Sequence, residues 1–309
     1  MENNNTFIGI DISKNYLDVY ISNTNKYKRF KNNTLGVEAL IKFIGKPEEI
    51  SRIILEPTGG YEIMVLETLA TKSYPVCRVN ALQIRLFAGA CGILAKTDKL
   101  DAKVLAEYGS KMPTRVYMPL SQELKDLKRL VTRRRQLSNM IVEEKNRIKK
   151  NADIYLNDMI KEDLEYLINK KKLIEKQITD LIDHHENLSK QREVLTSLKG
   201  VGNITAAILM TEMPELGKLT RNQATKLIGV APFNKESGNM KGKSQIRFGR
   251  EYVRHTLYLA SMSAIQHNPL LSQFYHKLKS KAKPSKVALI AVVHKIIVIL
   301  NARMMHFFA

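Results

Sequence analysis

Cysteine is scarce: Cys77 and Cys91 are the only two in 309 residues, and no His or Cys spacing resembles a zinc site. A reduced, cytoplasmic protein is the expectation. A secretory leader is not expected either, because Met-Glu-Asn-Asn-Asn-Thr at the start carries no basic segment followed by an apolar one. The most apolar window, Val287 to Leu300, is interrupted by His294 and Lys295 and is too short to span a bilayer. It reads as a buried helix, with no membrane partner. Acids are outnumbered, 30 against 50 Lys and Arg, giving a net charge of +20 and a pI near 9.8. That balance favours a polyanionic partner. Thirteen Lys or Arg but only two acids lie between Lys235 and Ala309, so +11 of the +20 falls in the last quarter. The polyanion is expected to contact that end most. No Ser/His/Asp ordering suggests an acyl-transfer triad.

Hydrophobic residues make up 44% of the chain, enough for proper cores, and the length allows two or three units. Residues 6–12, 15–22 and 26–31 read as three strands in quick succession, separated by turns rich in Ser, Asn and Lys. A helical stretch near 35–44, a strand closed by Glu56, a helix near 61–71 and a short strand at 76–79 follow. Three adjacent strands and then alternating helix and strand predict a mixed sheet with an antiparallel edge, as in the ribonuclease H type of fold. Asp11 closes the apolar run Phe7-Ile8-Gly9-Ile10, and Glu56 closes Ile53-Ile54-Leu55 just before Pro57-Thr58-Gly59-Gly60. An acid at the end of a buried strand is costly unless its charge is compensated. Asp98 and Asp101, three apart at the start of a helical pattern, share a helix face. Together the four acids make an oxygen-rich set suited to Mg²⁺ or Mn²⁺ and to metal-assisted phosphoryl transfer. A solvated helix start with mixed charges would look much the same at Lys96 to Lys103.

From Pro119 apolar residues recur at steps of three and four through Leu188, predicting two long helices joined near Asn157 to Asp163. They form an antiparallel hairpin, an intermolecular coiled coil or a plain helical spacer. Arg133-Arg134-Arg135 and Lys149-Lys150 either touch phosphate or only solubilise the helix. At Leu198-Lys199-Gly200-Val201-Gly202 one helix stops and another starts. The pattern resembles a helix-hairpin-helix module, whose turn amides hold a backbone phosphate, although Gly200 and Gly202 also suit a plain tight turn. Residues 229–243 form a polar, Gly-rich loop containing Ser237, Lys241 and Lys243. A basic helix beginning near Arg247 and carrying Arg250, Arg254 and His255 comes next. A loop serine beside several cations is placed to attack a phosphodiester, because the cations stabilise alkoxide and phosphorane charge. It is also an ordinary turn residue.

Taken together, Gly9-Ile10-Asp11-Ile12-Ser13-Lys14, Leu55-Glu56-Pro57-Thr58-Gly59-Gly60-Tyr61, Lys96-Thr97-Asp98-Lys99-Leu100-Asp101-Ala102, and Gly200-Val201-Gly202 followed by Gly229-Val230-Ala231-Pro232 and Ser237-Gly238 resemble the DEDD transposases of the insertion-sequence-110 family. The resemblance runs over almost the whole chain. It implies a RuvC-like or ribonuclease H-like α/β domain over residues 1–118, whose acids Asp11, Glu56, Asp98 and Asp101 bind Mg²⁺ or Mn²⁺. It further implies a helical coiled coil over 119–195, and a mainly helical transposase domain with a helix-hairpin-helix-like turn over 196–309.

In that family a serine becomes covalently joined to DNA, and it maps to Ser237, with Ser244 in reserve. Members often have a run of small residues before this glycine, where this chain has Lys235-Glu236-Ser237. The resemblance implies donor and target DNA as partners, a structured bridge RNA as guide, and a homodimer or homotetramer with an active site composite across subunits. Gly200, Gly202, Lys241, Lys243, Arg247, Arg250 and Arg254 are the candidate nucleic-acid contacts. Two other readings remain open. One is a RuvC-like junction endonuclease using metal-activated water; the other is a non-catalytic nucleic-acid-binding protein.

Overall fold

A computed structural model of the chain describes residues 6–93, 95–150, 153–232, 236–237, 240–241 and 245–309. It divides into two compact units, one ending at Pro119 and the other beginning at Leu120.

The first unit is built on strands β1 (Thr6–Ile12), β2 (Tyr16–Ile21) and β3 (Lys26–Lys31), helix α1 (Thr34–Ile44), strand β4 (Ile50–Leu55), helix α2 (Ile63–Thr71), strand β5 (Val76–Arg78), and helices α3 (Ala81–Ala90) and α4 (Asp98–Lys111). The sheet order is β3-β2-β1-β4-β5. β1 is antiparallel to β2 and parallel to β4, and β4 is parallel to β5. The expected mixed sheet with an antiparallel edge is therefore present, and the strands concerned are neighbours: Asp11 is the second-last residue of β1, and Glu56 falls just past the end of β4 rather than closing it. Alternation along β1 gives each face one job. Ile8, Ile10 and Ile12 join Leu17, Val19, Leu40, Leu55 and Leu66 in one core. Gly9 and Asp11 point the other way, towards α4. A one-residue slip would exchange the faces and expose three isoleucines, each worth about 1.5–3 kcal/mol when buried.

The second unit holds helices α5 (Gln122–Lys150), α6 (Ile154–Asp183), α7 (Glu186–Thr196), α8 (Asn203–Glu212) and α9 (Arg221–Leu227), the two-residue strands β6 (Glu236–Ser237) and β7 (Met240–Lys241), and helices α10 (Glu251–His267), α11 (Pro269–Ser280) and α12 (Ser285–Phe308). Helices α5 and α6 pack on each other as a hairpin, with Leu137, Ile141 and Leu167 in the seam. The junction comes earlier than Asn157 to Asp163, which lie inside α6. Asp153 sets the start of α6 by accepting from the Tyr155 and Leu156 amides at 2.9 and 3.2 Å. The seam also does not run on to Leu188, because α6 stops at Asp183 and Leu188 belongs to α7. Near its root the hairpin joins the main core, where Leu127, Val131, Ile178 and Ile182 pack with α7, α8, α10 and α12 residues.

Helix α12 is 24 residues long, so the Val287–Leu300 window is only part of it, and by length and composition alone it suffices to cross a membrane. Its buried positions, including Val292, Val293, Ile296, Ile297, Leu300 and Met304, follow helical spacing and lie in this core. Buried Asn301 accepts from the Gly217 amide at 3.0 Å and donates to the Leu219 carbonyl at 2.7 Å, tying α12 to the turn before α9.

Candidate active site

A missing side chain at Gly9 assembles the acids. A Cβ there would stand 1.9 Å from the Ala102 carbonyl oxygen and 2.6 Å from the Ala106 amide nitrogen, so α4 lies directly on the β1 backbone. That approach brings the first turn of α4 to the end of β1. Thr97 caps the helix by accepting from the Leu100 amide, and Asp98 and Asp101 occupy its first turn, where the helix dipole favours negative charge. Asp11, Asp98 and Asp101 are thus brought together as expected.

The electrostatics carry the mark of this crowding. Burial pushes the Asp11 carboxyl up to about 6, and repulsion from Asp101, Asp98 and Asp18 adds to it, against one opposing backbone hydrogen bond from Ile12. Burial likewise raises Asp101; Lys96 opposes the rise and Asp98 adds to it. Asp18 was not among the sequence candidates. It sits directly across from Asp11 in the β1–β2 register and is 3% exposed. Its signal was available, since an acid in the middle of a buried strand demands a partner. The partners are Tyr27, whose hydroxyl donates to Asp18 Oδ1, and Arg29, whose Nε lies 2.9 Å from the same oxygen. The Arg29 Nη2 also donates to Asp98 Oδ2, so one guanidinium joins two carboxylates of the cluster.

Glu56 follows Leu55, which pairs with Ile10, so it stands at the same sheet end as Asp11. It is not among the leading charges acting on Asp11. The Pro57-Thr58-Gly59-Gly60 turn behind it is held by Glu62, 2% exposed, whose Oε2 accepts from the Thr58 and Gly60 amides at 3.0 and 2.9 Å. Burial alone would raise the Glu62 carboxyl. Amide hydrogen bonds and the nearby Arg78 outweigh it and hold Glu62 below the usual carboxylate range. Glu62 is therefore a scaffold acid, and Glu56 is half-buried at the start of the turn that Glu62 holds.

Among the described residues no group of three or more His, Cys, Asp or Glu is placed so that it could hold a metal ion as the side chains stand. The donor set nevertheless fits a hard divalent cation. It is all oxygen, it is crowded enough to lift Asp11, and Asp11 forms no ion pair among the described residues. A cavity of about 990 Å³, lined by Phe7, Ile50, Arg52 and Pro75 among others, lies at the opposite end of the sheet.

In the second unit Ser237 lies on a short hairpin, where β6 pairs with β7 in the register Ser237 to Met240 and Glu236 to Lys241. Lys243 and Ser244 fall outside the described residues. Before and after the hairpin the chain is clamped by two glycines. A Cβ on Gly249 would stand 2.4 Å from the Gly229 nitrogen, and Arg250 donates its amide to the Leu227 carbonyl. The basic helix starts at Glu251, so Arg247 and Arg250 precede it.

Two of the candidate cations are occupied inside the protein. Arg250 forms a two-pronged ion pair with Glu215 at 2.6 and 2.8 Å and donates to the Glu212 carbonyl. Arg254 donates to the Ile228 and Phe248 carbonyls at 3.1 and 2.6 Å. Both hold the ends of the serine loop, whereas Arg247 is exposed. Of the turn glycines, Gly200 is pressed on α10, with a Cβ position 2.5 Å from Ala264 Cα. Gly202 sits at the N-cap of α8 with open space around it.

Comparison with known proteins gives two matches, the first of which runs past Pro119 into the second unit. Residues 8–157 match the family model of IS110-type DEDD transposases, and residues 192–276 match that of the transposase IS116/IS110/IS902 family. The chain belongs to the IS110 family of transposases. Its relatives include the pilin gene-inverting proteins of Moraxella lacunata and Moraxella bovis, each 26% identical over 303 residues, spanning 95% of this chain and 94% of theirs. The IS110 chain is accordingly a DNA transposase or recombinase, with DNA as its partner, and membership in a DEDD family implies a divalent metal ion in its chemistry.

Proposed function

We propose that this IS110 transposase exchanges DNA strands through a serine–DNA intermediate, with Asp11, Glu56, Asp98 and Asp101 holding Mg²⁺ or Mn²⁺ in a RuvC-like, ribonuclease H-type unit. The observation that carries the acid site is the Gly9 contact, which sets the first turn of α4 on the strand that contains Asp11. When bound, the divalent ion offsets charge on the scissile phosphate. Asp11 and Asp101 would hold the ion as carboxylates, and its positive charge would offset the burial that raises both groups.

Ser237 attacks phosphorus through Oγ, losing its proton. The bond to the 3′ oxygen breaks, and that oxygen leaves as a hydroxyl while the 5′ phosphate stays on the serine. A 3′ hydroxyl from the other duplex then attacks the phosphoserine and releases Oγ, so no ATP is consumed. Support comes from the position of Ser237 in a loop clamped by Gly229, Gly249, Arg250 and Arg254. The relatives named for inverting a pilin gene also support it, since inversion requires breaking and rejoining DNA. A structured RNA chooses donor and target by base pairing, and the protein reads backbone and shape, which suits its +20 charge. The protein acts as a homodimer or homotetramer.

The test incubates the protein with its element DNA, the RNA encoded beside it and Mg²⁺, then looks for a denaturant-resistant protein–DNA adduct. An adduct in wild type that is lost in Ser237→Ala is expected. Cleavage without any adduct, unaffected by the substitution, would replace this reading with a hydrolytic junction nuclease.

A further inference from the structure

The cations of the second unit fall into two groups, those spent inside the fold and those free of it. Arg134 pairs with Glu175, Arg250 with Glu215 and Arg192 with Asp183, and Arg254 binds two carbonyls. The largest free group lies where α11 turns into α12. Lys277, Lys279, Lys281, Lys283 and Lys286 occupy ten positions, every residue from Lys279 to Val287 is exposed, and no acid occurs after Glu251. Both family matches end before this turn, at 157 and 276.

The turn is built rather than loose. Lys283 donates its amide to the Leu278 carbonyl at 3.2 Å and Ala282 donates to Lys279 at 3.0 Å, the paired bonds of a Schellman helix end. Ala282 takes φ of +55°, a left-handed conformation that usually falls to glycine. Lys279 adds a clasp, its Nζ donating to the Lys283 carbonyl at 3.3 Å and to Ser285 Oγ at 3.0 Å. With Lys279 used in this way, Lys277, Lys281, Lys283 and Lys286 project from a fixed turn and have no acid partner among the described residues.

We propose that this lysine turn is a binding site for the phosphate backbone of duplex DNA. Four cations on a closed turn neutralise successive phosphates without reading bases, which suits a protein whose target is chosen by other means. The test measures binding to a duplex of arbitrary sequence against salt concentration, for wild type and for Lys277, Lys281, Lys283 and Lys286 all changed to Gln. Each lost phosphate contact should reduce the slope of log affinity against log salt by about 0.9. A total reduction of roughly three to four is expected, with unchanged circular dichroism. The control changes Lys42, Lys72, Lys172 and Lys176, also exposed, to Gln and should leave the slope in place. An unchanged slope in the turn variant overturns the site. A slope reduced for structured RNA but not for duplex DNA overturns the assignment to DNA.

A separate observation concerns Arg29. We infer that Arg29 is a positioning residue for the metal-holding aspartates, an inference that rests on the acid site proposed above. Buried Asp18, braced by Tyr27, fixes the guanidinium, and the guanidinium in turn fixes Asp98 Oδ2 and leaves Oδ1 free for a cation. Partners that orient a ligating carboxylate typically account for 10–100-fold in metal affinity.

Calorimetric Mn²⁺ titration of the full chain without DNA should therefore show Arg29→Met weakened 10–100-fold, with Arg29→Lys recovering part of the loss. Arg29→Lys keeps the charge opposite Asp18 and serves as the readout should Arg29→Met fold poorly, in which case it should lie several-fold below wild type. Asp11→Asn separates the two levels of the argument. If Asp11→Asn binds Mn²⁺ as wild type does, the acid site itself fails. If Asp11→Asn loses Mn²⁺ while the Arg29 variants bind it as well as wild type or better, the positioning role alone is overturned.

Discussion

The two units treat charge in opposite ways. The first carries 16 Lys or Arg against 12 acids and brings Asp11, Asp18, Asp98 and Asp101 together, where Arg29 bonds to two of them. The second carries 34 against 18 and spends several arginines on carbonyls and carboxylates, while lysines such as Lys277, Lys281, Lys283 and Lys286 are exposed. Crowded acids raise a free-energy cost that a divalent cation relieves; free lysines leave a field that a polyanion relieves. The difference teaches that residue type alone does not mark a site. What marks it is whether the fold has already satisfied the charge.

Removing the central acid breaks the first half of the comparison with the largest effect. Asp11→Ala should lower strand exchange by roughly a thousandfold or more while duplex binding in the absence of metal changes little, since the role proposed for the acid is to hold metal and not phosphate. Recombination assays and a gel-shift titration check the two arms. Gly9→Ala comes next. Its Cβ meets backbone atoms of α4 rather than a movable side chain, so destabilisation of at least about 1–3 kcal/mol and loss of Mn²⁺ binding are expected from denaturant melts and calorimetry.

The raised Asp11 carboxyl gives a pH signature with a definite sign. A carboxyl lifted from 3.8 to about 6 in the fold binds more protons folded than unfolded, so metal-free stability is full below about pH 4 and is lost as pH rises through 6. Asp11→Asn should leave stability at pH 4 unchanged and raise it at pH 7 by roughly 1–2 kcal/mol after solvent screening. The same substitution thus stabilises the empty protein and disables the enzyme. The smallest effect belongs to the second unit. Ala282→Gly should stabilise the lysine turn by no more than about 1 kcal/mol in thermal melts, since glycine adopts the left-handed conformation freely.

Much of the first unit was legible because short apolar runs and turn residues are local signals. The strands 6–12 and 26–31 fall where the short apolar run and the turn residues placed them, and Asp11, Asp98 and Asp101 meet. That Asp18 needs a partner was legible from its place in an apolar strand; that it faces Asp11 and binds Arg29 was not, because those pairings depend on the β1–β2 and β2–β3 registers. Arg250 and Arg254 read as phosphate contacts from their charge and spacing. Glu215 and the Ile228 carbonyl, 35 and 26 residues away, occupy them in the fold. The hairpin junction was misplaced because α6 starts at the Asp153 cap, while the more polar stretch at 157–163 looked like a turn.

The acid site is tested most directly by soaking crystals of the protein in Mn²⁺ and recording anomalous scattering. A peak bounded by the carboxylates of Asp11, Asp98 and Asp101 at the end of β1 is the expected result. Peaks confined to other surfaces, with these three side chains empty at Mn²⁺ concentrations that support recombination, would contradict the account.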